Sequence, residues 1–500
     1  MKKTRIKSSM NWRNCFGFLE QSAIRFGKVN DREENRMSEE KLKRSFGTKD
    51  VFTLAFGTMI GWGWIMLSGQ WAASAGMMGA IIAYVVGAVL CVFVGLVYSE
   101  LTPAIPYTGG SVVFSYKAMG YWPAVLAGLA TAFAYLGVAA WEGPAFSTAI
   151  NYVVEIPKAG KLWSIKGDDV YASVACVSII ASLIITYLNY KGAKQAAVFQ
   201  TIATGGLIAV GLVFLTGGAF MGKPEYTKPL FTDFKGFSAV LLMVPAMFVG
   251  FDVIPQSASE MNVPLKKIPK ILILSICAAA LWYMAMIFAT SISAPASVRL
   301  NGVIPVADAM AFNFGSPVWG KICIIGAICG ILTSWNGFLY GGARVLYALA
   351  NAKMLPEVLA KIHPKHNTPS NAVLLCGALS TFSCLLGKGA LVWFVNASSF
   401  GVVLVYFMAT LSFVVLRKKQ PQLERPYKVG NAKVVGFMAI LVSLFFAYLY
   451  LPMGPSPLAP IEWIFVIGWF VFGGILAIYA RNKYKDVAEE ERQALLFRED

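Results

Sequence analysis

Charged residues are scarce in this chain of 500 residues. Asp, Glu, Lys and Arg together make up 14% of it, while AVILMFWYC residues make up 57%; a soluble protein usually carries about a quarter charged residues. A water-soluble globular protein is therefore excluded. The formal net charge of +17 lies mainly in short loops and tails between hydrophobic blocks, so we expect it to set membrane topology rather than to bind nucleic acid.

Cysteine and histidine offer no catalytic or metal-binding pattern. The eight cysteines include no CxxC pair, and all except Cys15 lie inside apolar blocks, which argues against disulfides and a zinc site. The two histidines, His363 and His366, share one basic segment, HPKHNTP, where we expect solvated side chains. The sequence holds no Ser-His, metal or nucleotide-binding constellation, so we expect neither an enzyme nor a bound cofactor.

What the chain does have is repeated apolar blocks long enough to cross a hydrocarbon core, which takes about 20 helical residues. The blocks predict an all-α polytopic membrane protein with twelve transmembrane helices, embedded in a lipid bilayer. The predicted spans are 50–75, 77–102, 121–150, 169–190, 196–220, 236–259, 269–293, 317–350, 371–388, 391–416, 433–451 and 461–481.

An even number of spans puts both tails on one side of the membrane. Most of the 43 Lys and Arg residues fall in the two tails and in the loops on that same side, so both termini are predicted to be cytoplasmic, in the cell membrane. Residues 1–49 form a basic tail without the apolar core of a signal peptide. Translation starts at Met1 or, as the alternative, at Met37. The alternative is open because the segment after Met37 is long enough to lead into the first span.

Two spans contain helix-breaking residues. The first holds three glycines in FGTMIGWGWIML, and the sixth holds two prolines and a glycine in VPAMFVGFDVIP. Non-helical backbone at membrane depth is tolerated only where it is buried in protein or lines a cavity. Interruptions at corresponding positions of two halves indicate a transporter site near the midplane; the alternative is that these glycines only allow close helix packing.

Several motifs occur in a fixed order along residues 50 to about 480. They are Ile60-Gly61-Trp62-Gly63-Trp64-Ile65; Tyr98-Ser99-Glu100-Leu101 with Pro106-Tyr107-Thr108-Gly109-Gly110; Phe248-Val249-Gly250-Phe251-Asp252 with Glu260, Pro264 and Ile268-Pro269; Asn336 to Arg344 with Tyr347-Ala348, Leu355-Pro356, His363-Pro364-Lys365 and Thr368-Pro369; and Leu416-Arg417-Lys418-Lys419-Gln420-Pro421 with Arg425-Pro426-Tyr427. Together they resemble the amino acid-polyamine-organocation (APC) transporter superfamily.

The resemblance implies a LeuT-like fold of two inverted five-helix repeats, with broken helices 1 and 6. The repeats would be 50–220 and 236–416, followed by two extra helices in 433–481 and a cytoplasmic tail, 482–500. Residue by residue, a substrate carboxylate would meet Gly61, Trp62 and Gly63, and an amine would meet carbonyls of Met59, Ala246 and Val249. The same pocket would include Ile60, Trp64, Tyr135, Phe248, Gly250 and Phe251.

This chain departs from the family at two pocket positions. Trp62 replaces a small hydroxyl residue, and Ala246 stands where relatives often carry a gating aromatic residue. Trp62 and Trp64 would supply the missing bulk if they line the site, which would favour a small substrate; otherwise one of them faces lipid or a neighbouring helix.

Two carboxylates lie well inside spans. Burying an acidic side chain at membrane depth costs free energy, so such a residue indicates a functional site by default. Asp252 follows the second break and matches a family position that is often acidic; it either exchanges the coupling proton or caps local backbone. Glu142, seven residues after Tyr135, shares that residue's helix face and is either an acid of the outer vestibule or a solvated interface residue. Glu100, Glu260 and Arg344 lie near cytoplasmic ends, and we interpret them as gate or structural ion partners.

The usual coupling-ion devices are not at their expected positions. Many sodium-independent relatives carry a lysine where this chain has Leu207, and sodium-dependent relatives of the fold use paired hydroxyls near Tyr340-Gly341-Gly342. The nearby hydroxyl pair, Thr333 and Ser334, comes about two turns early. Proton coupling or uncoupled exchange remains.

The main prediction is an alternating-access transporter whose partner is a small-molecule substrate, an amino acid. A carrier of amines such as polyamines or ethanolamine is the alternative within transport, because Glu142 would attract a cation. A nutrient receptor whose tails signal is the alternative from another class. Oligomeric state stays open.

Overall fold

The structure, a computed structural model, describes residues 42, 44–165 and 167–497. For residues 388–390 it describes the backbone only. Cys15, the alternative start at Met37 and most of the predicted tail 1–49 lie outside the described residues.

Helices account for most of the described chain. In chain order, the α-helices are α1 (Thr48–Ile60), α2 (Gly63–Ala75), α3 (Met77–Ala104), α4 (Ser111–Met119), α5 (Tyr121–Val153), α6 (Ala172–Lys191), α7 (Ala193–Met221), α8 (Phe234–Met247), α9 (Val253–Gln256), α10 (Ile268–Ser293), α11 (Ala296–Asn301), α12 (Pro305–Asn313), α13 (Pro317–Asn351), α14 (Ser370–Ser383), α15 (Gly387–Lys419), α16 (Ala432–Tyr450), α17 (Pro460–Lys483) and α18 (Glu489–Leu496). Short 3-10 turns occupy Pro224–Thr227, Ala258–Glu260, Leu265–Lys267 and Glu357–Ala360.

Each predicted hydrophobic block contains at least one of these helices, which confirms a polytopic, mostly helical membrane protein. Within the described ranges, nine helices are long and apolar enough to cross a membrane, and the bent pair α1 and α2 makes up to ten. The helices α8 and α14 are apolar but shorter. Twelve complete crossings therefore remain a prediction.

A β-hairpin corrects the all-α prediction. Strand β1 (Lys161–Ile165) pairs antiparallel with β2 (Asp168–Tyr171), in a segment expected to be a loop and the start of the fourth span. Aromatic and β-branched residues favour this pairing, and Gly167 adopts a φ of +83° at the turn. The Trp163 indole donates to the Leu385 carbonyl at 3.0 Å, which ties the hairpin to the segment before α15.

Close helix packing surrounds α1. A Cβ atom on Gly337 of α13 would lie within van der Waals overlap of the Thr58 side chain, and one on Gly57 would meet Thr204 and Gln200 of α7. Because both positions are glycines, α7 and α13 can pack closely around the end of α1, as small residues allow between membrane helices. These contacts position the backbone of the site.

Large apolar side chains stay exposed on the outer helices, typical of a lipid-facing surface. On α17 they are Ile464, Ile467, Val471, Phe472, Ile475 and Ile478.

The predicted C-terminal tail is ordered from residue 482 to 497. The α18 residue Arg492 is 5% exposed and donates to the carbonyls of Ala352, Lys353 and Tyr484. The Tyr116 hydroxyl donates to Glu489 at 2.6 Å; burial, helped by this hydrogen bond, raises the pKa of Tyr116. The helix α18 is therefore docked onto the ends of α4 and α13.

Candidate functional site

Both predicted interruptions occur in the structure. The helix α1 ends at Ile60 and α2 begins at Gly63, with a bend of 49°. The helix α8 ends at Met247 and α9 begins at Val253, so five residues between them are not helical. The first turn of α2 leaves N–H groups without intrahelical acceptors, and its dipole favours a negative charge there.

The two breaks are in direct contact. Gly250 has a φ of +129°, a conformation that glycine adopts readily and other residues rarely. A Cβ atom at this position would lie 2.9 Å from the Met59 backbone nitrogen and 2.9 Å from Cγ2 of Thr58. Glycine is thus required for the second break to approach the first.

A cavity of about 350 Å³ lies beside the breaks. It extends along α2 as far as Gln70, away from the N-terminal end of α1. Its lining residues are Thr58, Met59, Gly61, Trp62, Gly63, Met66, Leu67, Gln70, Val138, Trp141, Glu142, Ala246, Met247, Val249, Tyr283, Ser334, Phe338, Val392, Val395, Asn396, Ser398, Ser399 and Val402.

Half of the predicted site residues line this cavity: Met59, Gly61, Trp62, Gly63, Ala246, Val249 and Glu142. The others, Ile60, Trp64, Tyr135, Phe248, Gly250, Phe251 and Asp252, are buried around it without lining it. The two tryptophans differ in role. Trp62 borders the cavity, whereas Trp64 is fully buried with its ring edge-on to Trp282 at 5.6 Å.

Glu142 places a carboxylate in the cavity beside the first break. Its side chain is 2% exposed, and Oε1 accepts from the Ser334 hydroxyl at 2.5 Å. The second oxygen, Oε2, has no hydrogen-bond partner among the described residues. A Cβ atom on Gly61 would lie 3.4 Å from Oε1, so Glu142 is close enough to meet a ligand held at the break.

Asp252 lies behind the cavity wall. Its Oδ2 accepts from the Tyr135 hydroxyl at 2.7 Å, and its Oδ1 accepts from the Gly250 N–H at 3.0 Å. The Tyr135 ring contacts Phe338, a lining residue, with centroids 5.3 Å apart. Both oxygens therefore have donors, and Phe338 separates this pair from the cavity.

Hydroxyl groups hold the carbonyl end of the first break. The Tyr283 hydroxyl donates to the Met59 carbonyl at 2.8 Å, and the Thr333 hydroxyl donates to the Gly57 carbonyl at 3.0 Å. Thr333 and Ser334 thus lie at the break, although the resemblance implies a hydroxyl pair about two turns later, near Tyr340. A carbonyl oxygen has two acceptor lone pairs, and the Tyr283 hydroxyl uses one of those on Met59.

The opposite side of the breaks is closed by a buried ion pair. Arg344, ten residues and about 15 Å beyond Ser334 along α13, donates to both carboxylate oxygens of Glu260 at 2.8 and 3.1 Å. Both side chains are fully buried, and the guanidinium lies 3.5 Å from the Tyr340 ring centroid. Phe46 packs on Tyr340 at 5.4 Å and donates its N–H to the Glu260 carbonyl.

Sequence reasoning missed several lining residues, among them Trp141, Met247, Tyr283, Phe338 and Asn396. All except Met247 come from helices without breaks, where no local signal marks them. Met247 ends α8 directly before the second break, but the family motif that marks this break begins only at Phe248. None of the lining residues is Lys, Arg or His. Across the described part of the chain, no group of three His, Cys, Asp or Glu residues is placed to hold a metal ion.

Comparison with known proteins finds transport proteins. A family model described as amino acid permease matches residues 46–476. The chain is 29% identical to the branched-chain amino acid permease BcaP of Bacillus subtilis, over 93% of this chain and 99% of that protein. It is 26% identical to the methylthioribose transporter of the same organism, over 88% and 94%. It is 28% identical to mouse cationic amino acid transporter 4, over 77% and 61%.

The family model covers most of the chain, including both breaks and most of the cavity-lining helices. This chain is an integral membrane transport protein, not an enzyme, and it belongs to the amino acid permease family of the APC superfamily.

Proposed function

We propose that this protein is a secondary transporter that carries amino acids across the cell membrane by alternating access. The observation that carries the proposal is one cavity bordered by both helix breaks and by Glu142. Relatives named for branched-chain and cationic amino acids support this substrate class.

The substrate binds as a zwitterion. Its carboxylate accepts from the free N–H groups at the start of α2, where the helix dipole favours an anion. Its ammonium lies near the second lone pair of the Met59 carbonyl and near Oε2 of Glu142, which lacks a partner among the described residues. The apolar side chains of Val138, Met247 and Phe338 receive the remainder of the molecule.

Twelve spans in two inverted repeats, with both termini cytoplasmic, give this site its two access routes. In that orientation the cavity opens away from the cytoplasm, because it extends along α2. The Glu260–Arg344 pair then lies on the cytoplasmic side and closes it. Transport requires this closed side to open while the outer part of the cavity collapses.

A proton is the coupling ion in this proposal. Glu142 is the leading proton carrier because it borders the cavity, and Asp252 is the second because Tyr135 and Gly250 already donate to it. A zwitterionic substrate has no net charge, so a protonated Glu142 leaves the loaded cavity neutral. An ionised Glu142 adds one net negative charge, which is costly at membrane depth.

Counterflow in proteoliposomes tests the function. We expect wild type to exchange a radiolabelled amino acid and Gly63→Leu to lose this exchange, because the leucine side chain would displace Met247 and fill the cavity beside the α2 amides. Gly205→Leu is the matched control, since nothing lies within 4 Å of a Cβ atom there. Normal exchange by a monodisperse Gly63→Leu protein would contradict the placement of the site.

Uptake driven by an imposed pH gradient separates the two acids. Glu142→Gln should abolish gradient-driven accumulation while counterflow at equal pH persists, and Asp252→Asn should do so only if Asp252 carries the proton. If each single variant still accumulates substrate in response to the gradient, neither Glu142 nor Asp252 carries the coupling proton. Replacing Na⁺ by choline in the same assay checks whether a sodium ion drives uptake instead.

Transport of amines is the second candidate function. It is favoured because the cavity lining contains the acidic Glu142 and no basic residue. Putrescine and ethanolamine should then compete for counterflow better than leucine does. Binding of amino acids without any counterflow would indicate a receptor.

A further inference from the structure

The last long helix, α17, holds a residue of the cavity lining, although α17 itself lies outside both predicted repeats. Asn396 of α15 lines the cavity, and its Nδ2 donates to Oε1 of Glu462 in α17 at 2.8 Å. The other oxygen of Glu462 accepts from the Ala459 N–H at 2.8 Å. Glu462 is 5% exposed, so a buried acid at the start of α17 holds a side chain of the cavity.

This contact fixes which end of the Asn396 amide faces the cavity. A carboxylate only accepts hydrogen bonds, so the amide nitrogen must point to Glu462 and the carbonyl oxygen Oδ1 is left for the cavity. Because both oxygens of Glu462 are engaged, the carboxylate cannot rotate away without losing a hydrogen bond. Asn396 is thus presented as an acceptor.

The helix α17 is itself anchored to the helix that carries Glu142. The Trp469 indole donates to the Leu129 carbonyl of α5 at 2.8 Å, and its ring stacks on Phe133 at 5.4 Å. Trp469 lies seven residues, about two helical turns, from Glu462. It therefore holds α17 against α5 without taking part in the hydrogen bonds of the Asn396–Glu462 pair.

We propose that Asn396 is a substrate-binding residue, held by Glu462 as a positioning residue, and that it accepts a hydrogen bond from an N–H donor on the substrate side chain. The proposal rests on the proposed transport of amino acids and adds a selection among them. Oε2 of Glu142 and Oδ1 of Asn396 are both acceptors, and the lining holds no basic residue. The cavity therefore complements a substrate with donors at both ends.

L-lysine and L-norleucine provide a matched probe pair, because they differ only by the terminal ammonium. Their half-saturating concentrations are measured by counterflow in proteoliposomes for wild type, Asn396→Ala, Glu462→Ala and the double variant. We expect wild type to prefer lysine and each single variant to reduce that preference about tenfold, as for loss of one hydrogen bond to a charged group. The double variant should lose no more than either single one, since both act through the same amide.

Trp469→Phe is the control for a merely structural role. It removes the hydrogen bond to Leu129 but leaves Asn396 and Glu462 paired, so it should lower the melting temperature without changing the lysine preference. A wild type without lysine preference, or an unchanged preference in Asn396→Ala, overturns the inference while norleucine exchange upholds the proposed function. Failure to exchange any amino acid overturns the proposed function and the inference with it.

Discussion

Replacing Gly250 by alanine tests the contact between the two helix breaks. The added Cβ would lie 2.9 Å from the Met59 backbone nitrogen and 3.0 Å from the Thr58 carbonyl carbon. These neighbours are backbone atoms, which cannot swing aside as the end of a side chain can. Alanine would also have to adopt a φ of +129°, which L residues avoid.

The two effects add in the same direction. A residue held in a disfavoured backbone region costs about 1–3 kcal/mol, and inserting an extra group into a well-packed interior costs about another 1–3 kcal/mol. We therefore expect Gly250→Ala to lose roughly 2–6 kcal/mol of stability. Relief of the clash would separate the second break from Met59, so substrate exchange should also fall.

Thermal unfolding of the purified protein in detergent, followed by tryptophan fluorescence, measures the loss. Gly205→Ala is the matched control, because Gly205 lies inside the exposed face of α7 with nothing within 4 Å of a Cβ atom. The control should melt at or above the wild-type temperature, since alanine favours a helix over glycine. If Gly250→Ala melts like wild type and still exchanges substrate, the breaks do not pack as described.

Three further predictions concern other parts of the chain. Glu260→Ala should lower stability by about 3–5 kcal/mol by leaving Arg344 buried without its partner, and the double change with Arg344→Met should recover much of the melting temperature. Arg492→Ala should release α18, because three hydrogen bonds to backbone carbonyls hold that guanidinium. Limited proteolysis should then cut between residues 484 and 489 faster than in wild type, while Lys485→Ala should not change the rate. Deletion of residues 1–36 should leave counterflow intact, and loss of activity at normal membrane abundance would show that this tail regulates transport.

The sequence predicts the breaks well because their cause is local. The apolar spans are interrupted by Gly61, Gly63, Pro245 and Gly250. At those places the structure has the breaks between α1 and α2 and between α8 and α9. The hydrophobic blocks likewise predict the long helices, since their length and composition are properties of one segment. The β-hairpin could not be predicted because its strands are short. It also contacts the distant Leu385 carbonyl through Trp163, which no local sequence pattern contains.

The cavity could be predicted only in part because its lining depends on which helices meet. The family motifs point to the breaks, and hence to Met59, Trp62 and Val249, which line it. They also point to Trp64 and Phe251, which pack instead against Trp282 and against Tyr98 and Tyr406. Whether a residue beside a break faces the cavity is decided by helix rotation, which a linear motif does not contain.

The same reasoning separates the two acids inside the spans. Asp252 stands within a recognisable motif, and the structure gives both of its oxygens donors from Tyr135 and Gly250. Glu142 stands in no motif, yet it borders the cavity with one oxygen that has no partner among the described residues. The breaks lie in the region that the family model covers, and the relatives of this chain are named for different substrates. Glu142 and Asn396, by contrast, lie on unbroken helices. Differences in substrate among such relatives are therefore expected to arise on α5 and α15, where side chains can change without disturbing the backbone that we propose as the carboxylate site.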